Sequence, residues 1–344
     1  MRFTQSVQQE KEVKLDLKDK KIIYWLSENA RMPYTKIAKR VGLSKDAVKY
    51  RIKNLEKNGV IQGYLSIIDV EKLGYNAYHI FMQFNRINKE IKNKLVGIFK
   101  SYPFTRVIIE CSGKYDFEIG IIAKNIEELD RIITKMIDDV SEYLKEHQIL
   151  IISKKYVGRI FPKSFLVLKD ELELKKHNSE FKIDKTDLEI LNALANDATI
   201  PLYEMEKSTK LSVDAINYRI KKMIKENLIQ GFAPIINYSV LGYTTYIVLM
   251  DIHNLSKEKE KSLEYFLKGN ENILWSVKDV GKYNLLIYVC VKKSDELHQT
   301  LMKLREIFSA DIKDYETLIA YEEYKYTYFP EVCRKSLEFK SEST

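Results

Sequence analysis

The 344 residues carry 57 Lys and Arg against 49 Asp and Glu, a net charge of +8, and 45% of the side chains are apolar. That length holds two or more domains, each with its own core, at an apolar share ordinary for a soluble globular protein. No stretch reads as a membrane span, because the longest uncharged run, 227–250, includes Pro234 and two glycines.

The first residues lack the basic-then-apolar pattern of a secretory signal, so a cytoplasmic protein is expected. Cys111, Cys290 and Cys333 are far apart, odd in number and form no CxxC pair. Reduced thiols, no metal and no cofactor are the reading that follows.

In chain order, Asp16 followed by Asp19 places an N-cap with a carboxylate three residues on, opening a helix with Ile22, Ile23 and Leu26 on one face. A second short helix carries Ile37, Ala38 and Val41 and stops at Gly42, a residue free to turn left-handed. Ser44 caps a third helix with Val48, Ile52 and Leu55 at helical spacing, closed by Gly59. Helix, tight turn and capped helix make a helix-turn-helix domain over 13–70, whose "VIQGYLSII" serves as a wing or a connecting strand.

After Leu73-Gly74-Tyr75 the period changes. Strand "YHIFMQF", helix "KEIKNKLVGIFKSY", strand "TRVIIEC", turn "SGKYD" and strand "FEIGIIA" follow one another. Helix "IEELDRIITKMIDDV" and strand "QILIISKKYV" complete a βαββαβ ferredoxin-like domain over 74–160. A charged segment, "KSFLVLKDELELKKHNSE", gives a linker over 161–180 with some helical or extended order. The plan then repeats as a second helix-turn-helix over 181–238 and a second ferredoxin-like domain over 242–328.

A shift of 168 positions aligns Asp16 with Asp184, Leu43-Ser44 with Leu211-Ser212, and Leu73-Gly74-Tyr75 with Leu241-Gly242-Tyr243. The same shift aligns Gly113-Lys114-Tyr115 with Gly281-Lys282-Tyr283 and Phe161-Pro162 with Phe329-Pro330. The period is far too long for a solenoid and fits a tandem duplication of a whole protein. The expected fold is therefore α+β, with two winged helix-turn-helix domains alternating with two ferredoxin-like domains.

Charge separates the copies. The window 13–70 has 13 Lys and Arg against 6 Asp and Glu, whereas 181–238 has 8 against 8. A basic surface is the footprint of a polyanion binder, because contacts to phosphates release counterions. With Val48, Ile52 and Leu55 turned inward, Lys45, Lys49, Tyr50 and Lys53 lie on or near the outer side of the third helix, and Arg51 sits at its edge. Lys45, Lys49 and Tyr50 are assigned to the groove, and Arg51 and Lys53 to phosphate or to the helix-turn-helix frame.

In the second copy Lys210 stands at the position of Gly42, Glu206 at Ala38, Asn227 at Gly59, Ser208 at Arg40 and Asn217 at Lys49. Glu206 is awkward where the second helix must pack, and Lys210 pays for a left-handed turn. Ile216, Ile220 and Met223 keep the helical core, so a foldable but weaker or differently specific reader is expected. Tyr218, Arg219, Lys221 and Lys222 remain as its contacts.

The stretches "NAR" at 29–31, "IAKRVGLS" at 37–44, "VKYRIKNLEKNGVIQGY" at 48–64, "LGY" at 73–75 and "GKYD" at 113–116 resemble the leucine-responsive regulator/AsnC family of bacterial and archaeal transcription factors. The resemblance covers essentially the whole chain, once per half. It implies a regulator of double-stranded DNA whose ferredoxin-like domains (called RAM domains) pair, here as an intrachain pseudo-dimer or in a homo-oligomer.

It also implies a small effector, such as an amino acid, at the turn Gly113-Lys114-Tyr115-Asp116, where backbone N–H groups hold a carboxylate and Asp116 meets an ammonium group. The second copy of that site has Gly281, Tyr283 and the neutral Asn284. An ordinary hairpin turn is the plain alternative.

Siroheme decarboxylases resemble the same regulators, and "KYNLLIYV" resembles their HxYN strand. The histidine of that pattern falls at Gly281, and none of the five histidines lies there or at Gly113. A non-enzyme is expected. A subunit that co-assembles with single-unit relatives and modulates them is the other alternative.

Overall fold

The computed structural model describes residues 12–166, 183–253 and 255–334. Two compact units emerge, and they sort the chain by kind of element rather than by copy. One gathers 15–76, 183–236 and 327–334; the other gathers 77–166 and 237–326 with the residues just before 15.

In the first unit, α1 (Leu17–Glu28), α2 (Tyr34–Val41), α3 (Lys45–Lys57) and β1 (Ile61–Ile68) form one winged helix-turn-helix. Asp16 and Asp19 close a reciprocal capping box at the start of α1. Gly42 ends α2 in the left-handed conformation at φ 68°, and the Ser44 hydroxyl accepts the Ala47 N–H at 3.1 Å to start α3. The second copy repeats this as α6 (Lys185–Asn196), α7 (Leu202–Thr209), α8 (Val213–Lys225) and β6 (Ile229–Ile236), with its own box at Asp184 and Asp187.

"VIQGYLSII" is a connecting strand: β1 pairs antiparallel with β6, Ser66 opposite Phe232. Across this ladder Ala30 donates to Phe232 O at 2.8 Å and, 168 residues on, Ala198 donates to Tyr64 O at 3.3 Å. Arg31 breaks the symmetry. Its guanidinium donates to Ala198 O and Ile200 O and lies over the Phe232 ring, so the basic first copy also braces the second.

The other unit is a closed eight-stranded barrel. Its first-copy strands are β2 (Asn76–Phe84), β3 (Thr105–Ser112), β4 (Phe117–Ala123) and β5 (Leu144–Gly158), joined through α4 (Lys89–Ser101) and α5 (Ile126–Val140). The second copy contributes β7 (Thr244–Ile252), β8 (Ile273–Val280), β9 (Leu285–Val291) and β10 (Ile312–Tyr326), with α9 (Lys257–Gly269) and α10 (Ser294–Phe308). Strand order around the barrel is β10-β3-β4-β2-β5-β8-β9-β7.

The long strands β5 and β10 each serve both copies. Tyr78 to Phe84 of β2 pair with the first part of β5, and Trp275 to Val280 of β8 with its last part. Likewise β10 pairs with β7 over 312–320 and with β3 over 319–326. Every residue of β4 and of β9 is buried, as expected of strands covered on both faces, and β4 includes one charged residue, Glu118. Helices cover the outside: Phe99 of α4 meets Phe84 and Phe117, and Leu263, Leu267, Leu304 and Phe308 meet Leu285, Ile287 and Val289.

Of the expected linker over 161–180, residues 163–165 form a short 3-10 turn with Phe165 buried. The remainder, from 167, lies outside the described residues. No helix among the described residues is long and apolar enough to cross a membrane.

Candidate nucleic-acid interface

α3 carries two opposed faces. Val48, Ile52 and Leu55 are buried, whereas Lys45, Lys49, Tyr50 and Lys53 are exposed, Tyr50 at 67%. The three lysines recur every four residues, which puts their ammonium groups along one side of the helix. Lys36 and Lys39 on α2 are exposed as well. They were not singled out from sequence; a lysine pair on the helix before the turn was the available signal, since that helix crosses the DNA backbone in helix-turn-helix proteins. Arg40 is different, for its guanidinium stacks 3.9 Å from the centre of the Trp25 ring.

Arg51 is not presented like the lysines. Its Nη1 lies 2.8 Å from Asp16 Oδ2 and 2.7 Å from Asp19 Oδ1, bridging both carboxylates of the α1 capping box. Of the two roles left open for it, the geometry supports the frame. Arg219 does the same in the second copy, at 2.6 Å from Asp184 and 2.8 Å from Asp187. Through Nη1 both arginines fix the recognition helix to the first helix of their own domain.

On α8, Tyr218 is 70% exposed and Lys221 and Lys222 are exposed, while Ile216, Ile220 and Met223 are buried. Val213 and Asn217 stand where α3 has Lys45 and Lys49. Lys210 adopts the left-handed cap at φ 55° despite its side chain, and Asn227 does so at φ 56°. Glu206, read from sequence as a packing misfit, has a job: its Oε1 accepts the Val213 N–H at 3.0 Å, adding a carboxylate cap to α8 beside that of Ser212. The second recognition helix therefore begins with a negative charge seated on it, in the place where α3 begins with a lysine.

The two glycine turns lie in the barrel. Gly113 has φ 141°, and a Cβ there would fall 2.8 Å from Leu318 Cδ2 and 3.2 Å from Thr317 O of β10. Gly281 faces β5 in the same way, where an added Cβ would fall 2.7 Å from Ile149 O. Both glycines thus permit close approach between copies. Tyr115 and Tyr283 are fully buried, and burial raises the Tyr115 hydroxyl pKa.

Asp116, expected as an ammonium partner, has one carboxylate oxygen on strand backbone. Its Oδ2 accepts the Phe84 N–H at 2.7 Å, and burial lifts its pKa above the ordinary carboxylate range. Asn284 makes the corresponding contacts, accepting from Ile252 N at 2.9 Å and donating to Ile252 O at 2.7 Å. Both side chains tie off the end of a neighbouring strand.

Two stretches, 15–62 and 183–230, match the family model described as winged helix-turn-helix DNA-binding. The transcriptional regulator LrpA of Pyrococcus horikoshii is 36% identical over 142 residues, which take up 98% of that protein and 41% of this chain. The regulator FL11 of Pyrococcus furiosus is 35% identical over 121 residues, 78% of its length and 35% of this chain.

A solved siroheme decarboxylase, NirDL, superposes over 94% of this chain and 99% of its own with a TM-score of 0.61. At 12% identity that likeness shows the fold alone. This chain belongs to the Lrp/AsnC family of transcription regulators, as a tandem duplication of the helix-turn-helix plus ferredoxin-like unit.

Proposed function

We propose that the chain is a sequence-specific, double-stranded-DNA-binding transcription regulator acting in the cytoplasm, with α3 as its principal reader and α8 as a weaker or differently specific one. The observation that carries this reading is the exposed row Lys45, Lys49, Lys53 with Tyr50, on a helix whose opposite face is buried. The N-terminal part of a recognition helix meets base edges in the major groove while flanking cations hold phosphates. Lys45, Lys49 and Tyr50 take the first role; Lys53, with Lys36 and Lys39, takes the second. On α8, Tyr218, Lys221 and Lys222 are the remaining contacts.

The β1–β6 ladder holds the two readers in one unit, so they present an unequal pair to the duplex. An identical homodimer requires two equal half-sites, whereas a covalent pair of unlike readers favours an asymmetric operator. An amino-acid effector at the glycine turns would compete with strand backbone for Asp116 and Asn284, beside the buried Tyr115 and Tyr283.

The test is fluorescence anisotropy on genomic duplex fragments across a salt series. Lys49→Glu is expected to weaken binding at least tenfold, and Lys53→Ala to lower the slope of log K against log salt by about 1. Lys49→Glu binding as tightly as the unaltered chain would overturn the assignment of α3.

A further inference from the structure

Inside the barrel the two copies are not alike. On the first copy, His79 of β2 and Glu118 of β4 are buried side by side, with Nδ1 2.6 Å from Oε1. Facing them from the second copy are Trp275 of β8 and Tyr288 of β9. The Trp275 ring lies 5.4 Å from that of His79 and 5.3 Å from that of Tyr288, and the Tyr288 hydroxyl donates to Glu118 Oε1.

The 168-residue shift carries His79 to Ile247, Glu118 to Leu286, Trp275 back to Val107 and Tyr288 back to Gly120. The two cross-strand pairs correspond: Val107 opposes Gly120 in the first copy, as Trp275 opposes Tyr288 in the second. One copy thus offers two polar groups beside a small pair, and the other offers two aliphatic groups beside a large aromatic pair.

The two faces are complementary, and neither complements itself. Two first copies brought together would leave Glu118 without its tyrosine donor and the space of two aromatic rings unfilled, once on each side. Two second copies would press Trp275 and Tyr288 onto Ile247 and Leu286 and bury the tyrosine hydroxyl without its carboxylate. Buried polar groups without partners, voids and overpacking each disfavour an assembly. Exchanging attraction for repulsion in this way is how pairing specificity is built.

We propose that the His79–Glu118–Tyr288–Trp275 contact is a one-to-one recognition surface that makes the barrel accept only a first copy joined to a second copy, and exclude pairing of like copies between chains. The duplication then differs from an ordinary homodimer in kind: its two halves have become unlike partners.

Two full-length variants with different tags test this. One carries His79→Ile with Glu118→Leu, the other Trp275→Val with Tyr288→Gly, so each spoils the contact within its own barrel. Co-expressed, they can restore one native contact by exchanging halves, leaving an all-aliphatic contact in the second barrel. The expected result is a 1:1 complex recovered through both tags for the complementary pair, and markedly less association when either variant is co-expressed with a differently tagged copy of itself. Failure of the variants to associate, whether or not either is soluble alone, overturns the proposal.

A second measurement uses conservative changes that keep the fold. Glu118→Gln and Tyr288→Phe, singly and together, are followed by chemical unfolding of the full chain. The double variant is expected to unfold at nearly the denaturant concentration of the worse single one, and strictly additive losses overturn the contact.

Discussion

Glu206 reaches across the turn before α8 and accepts the backbone N–H of Val213 at 3.0 Å. It thereby occupies, with a negative charge, the end of the helix that otherwise attracts anions. The first copy has Ala38 at that position and Lys45 where the second has Val213. Two adjacent substitutions in space thus reverse the sign of the helix entrance without disturbing its buried face.

Glu206→Ala should therefore tighten binding to duplex DNA by a few-fold at low salt, with the gain fading as salt rises. Losing the cap should cost about 0.5–1 kcal/mol of stability. Anisotropy and urea unfolding on the same preparation check both halves of the expectation, and unchanged affinity at low salt would remove Glu206 from the explanation of the neutral reader.

Lys210 holds a left-handed conformation at φ 55° where the first copy has Gly42. A side chain there costs roughly 1 kcal/mol that glycine avoids. Lys210→Gly is expected to raise the midpoint of thermal unfolding by a few degrees, and Gly42→Lys to lower it. Scanning calorimetry of both variants is the measurement.

Asp279 on β8 is buried, neither of its oxygens has a hydrogen-bond partner among the described residues, and burial raises its pKa to about 7. Glu118 adds to the rise and His79 opposes it. An acid whose pKa is higher folded than unfolded binds its proton more tightly in the native state. Its contribution is fully present below about pH 4 and is lost as pH climbs through about 7. Asp279→Asn should flatten that fall and leave the variant more stable at pH 8, by something on the order of 1–3 kcal/mol. Unfolding midpoints of both proteins at pH 4.5, 6 and 8 test it; a stability difference between them that does not change with pH would contradict the burial argument.

Gly281 and Gly113 predict a graded response. A Cβ at Gly281 meets a backbone oxygen, Ile149 O, at 2.7 Å, while at Gly113 its nearest contact is the movable Leu318 side chain at 2.8 Å. Gly281→Ala should cost about 2–3 kcal/mol or more, and Gly113→Ala less. Chemical unfolding of the two variants ranks them, and a larger loss at Gly113 would reverse the argument.

Sequence alone determined the local architecture, because its determinants are local. Capping boxes at Asp16 and Asp184, serine caps at Ser44 and Ser212, the change from helical to alternating apolar period, and one constant offset together specify which elements form and that they form twice. The face of α3 was legible for the same reason, since helical spacing separates Val48, Ile52 and Leu55 from Lys45, Lys49 and Lys53.

Tertiary structure alone decided what depends on distant partners. Arg51 resembles its lysine neighbours until Asp16 and Asp19 come within 2.8 Å of it, and Asp116 resembles a free acid until the Phe84 N–H binds it. Glu206 resembles a flaw until the Val213 N–H needs an acceptor. The exchange of β5 and β10 between copies, and the meeting of Glu118 with Tyr288 across 170 positions of sequence, follow from how twisted strands close into a barrel, a pairing no local pattern encodes.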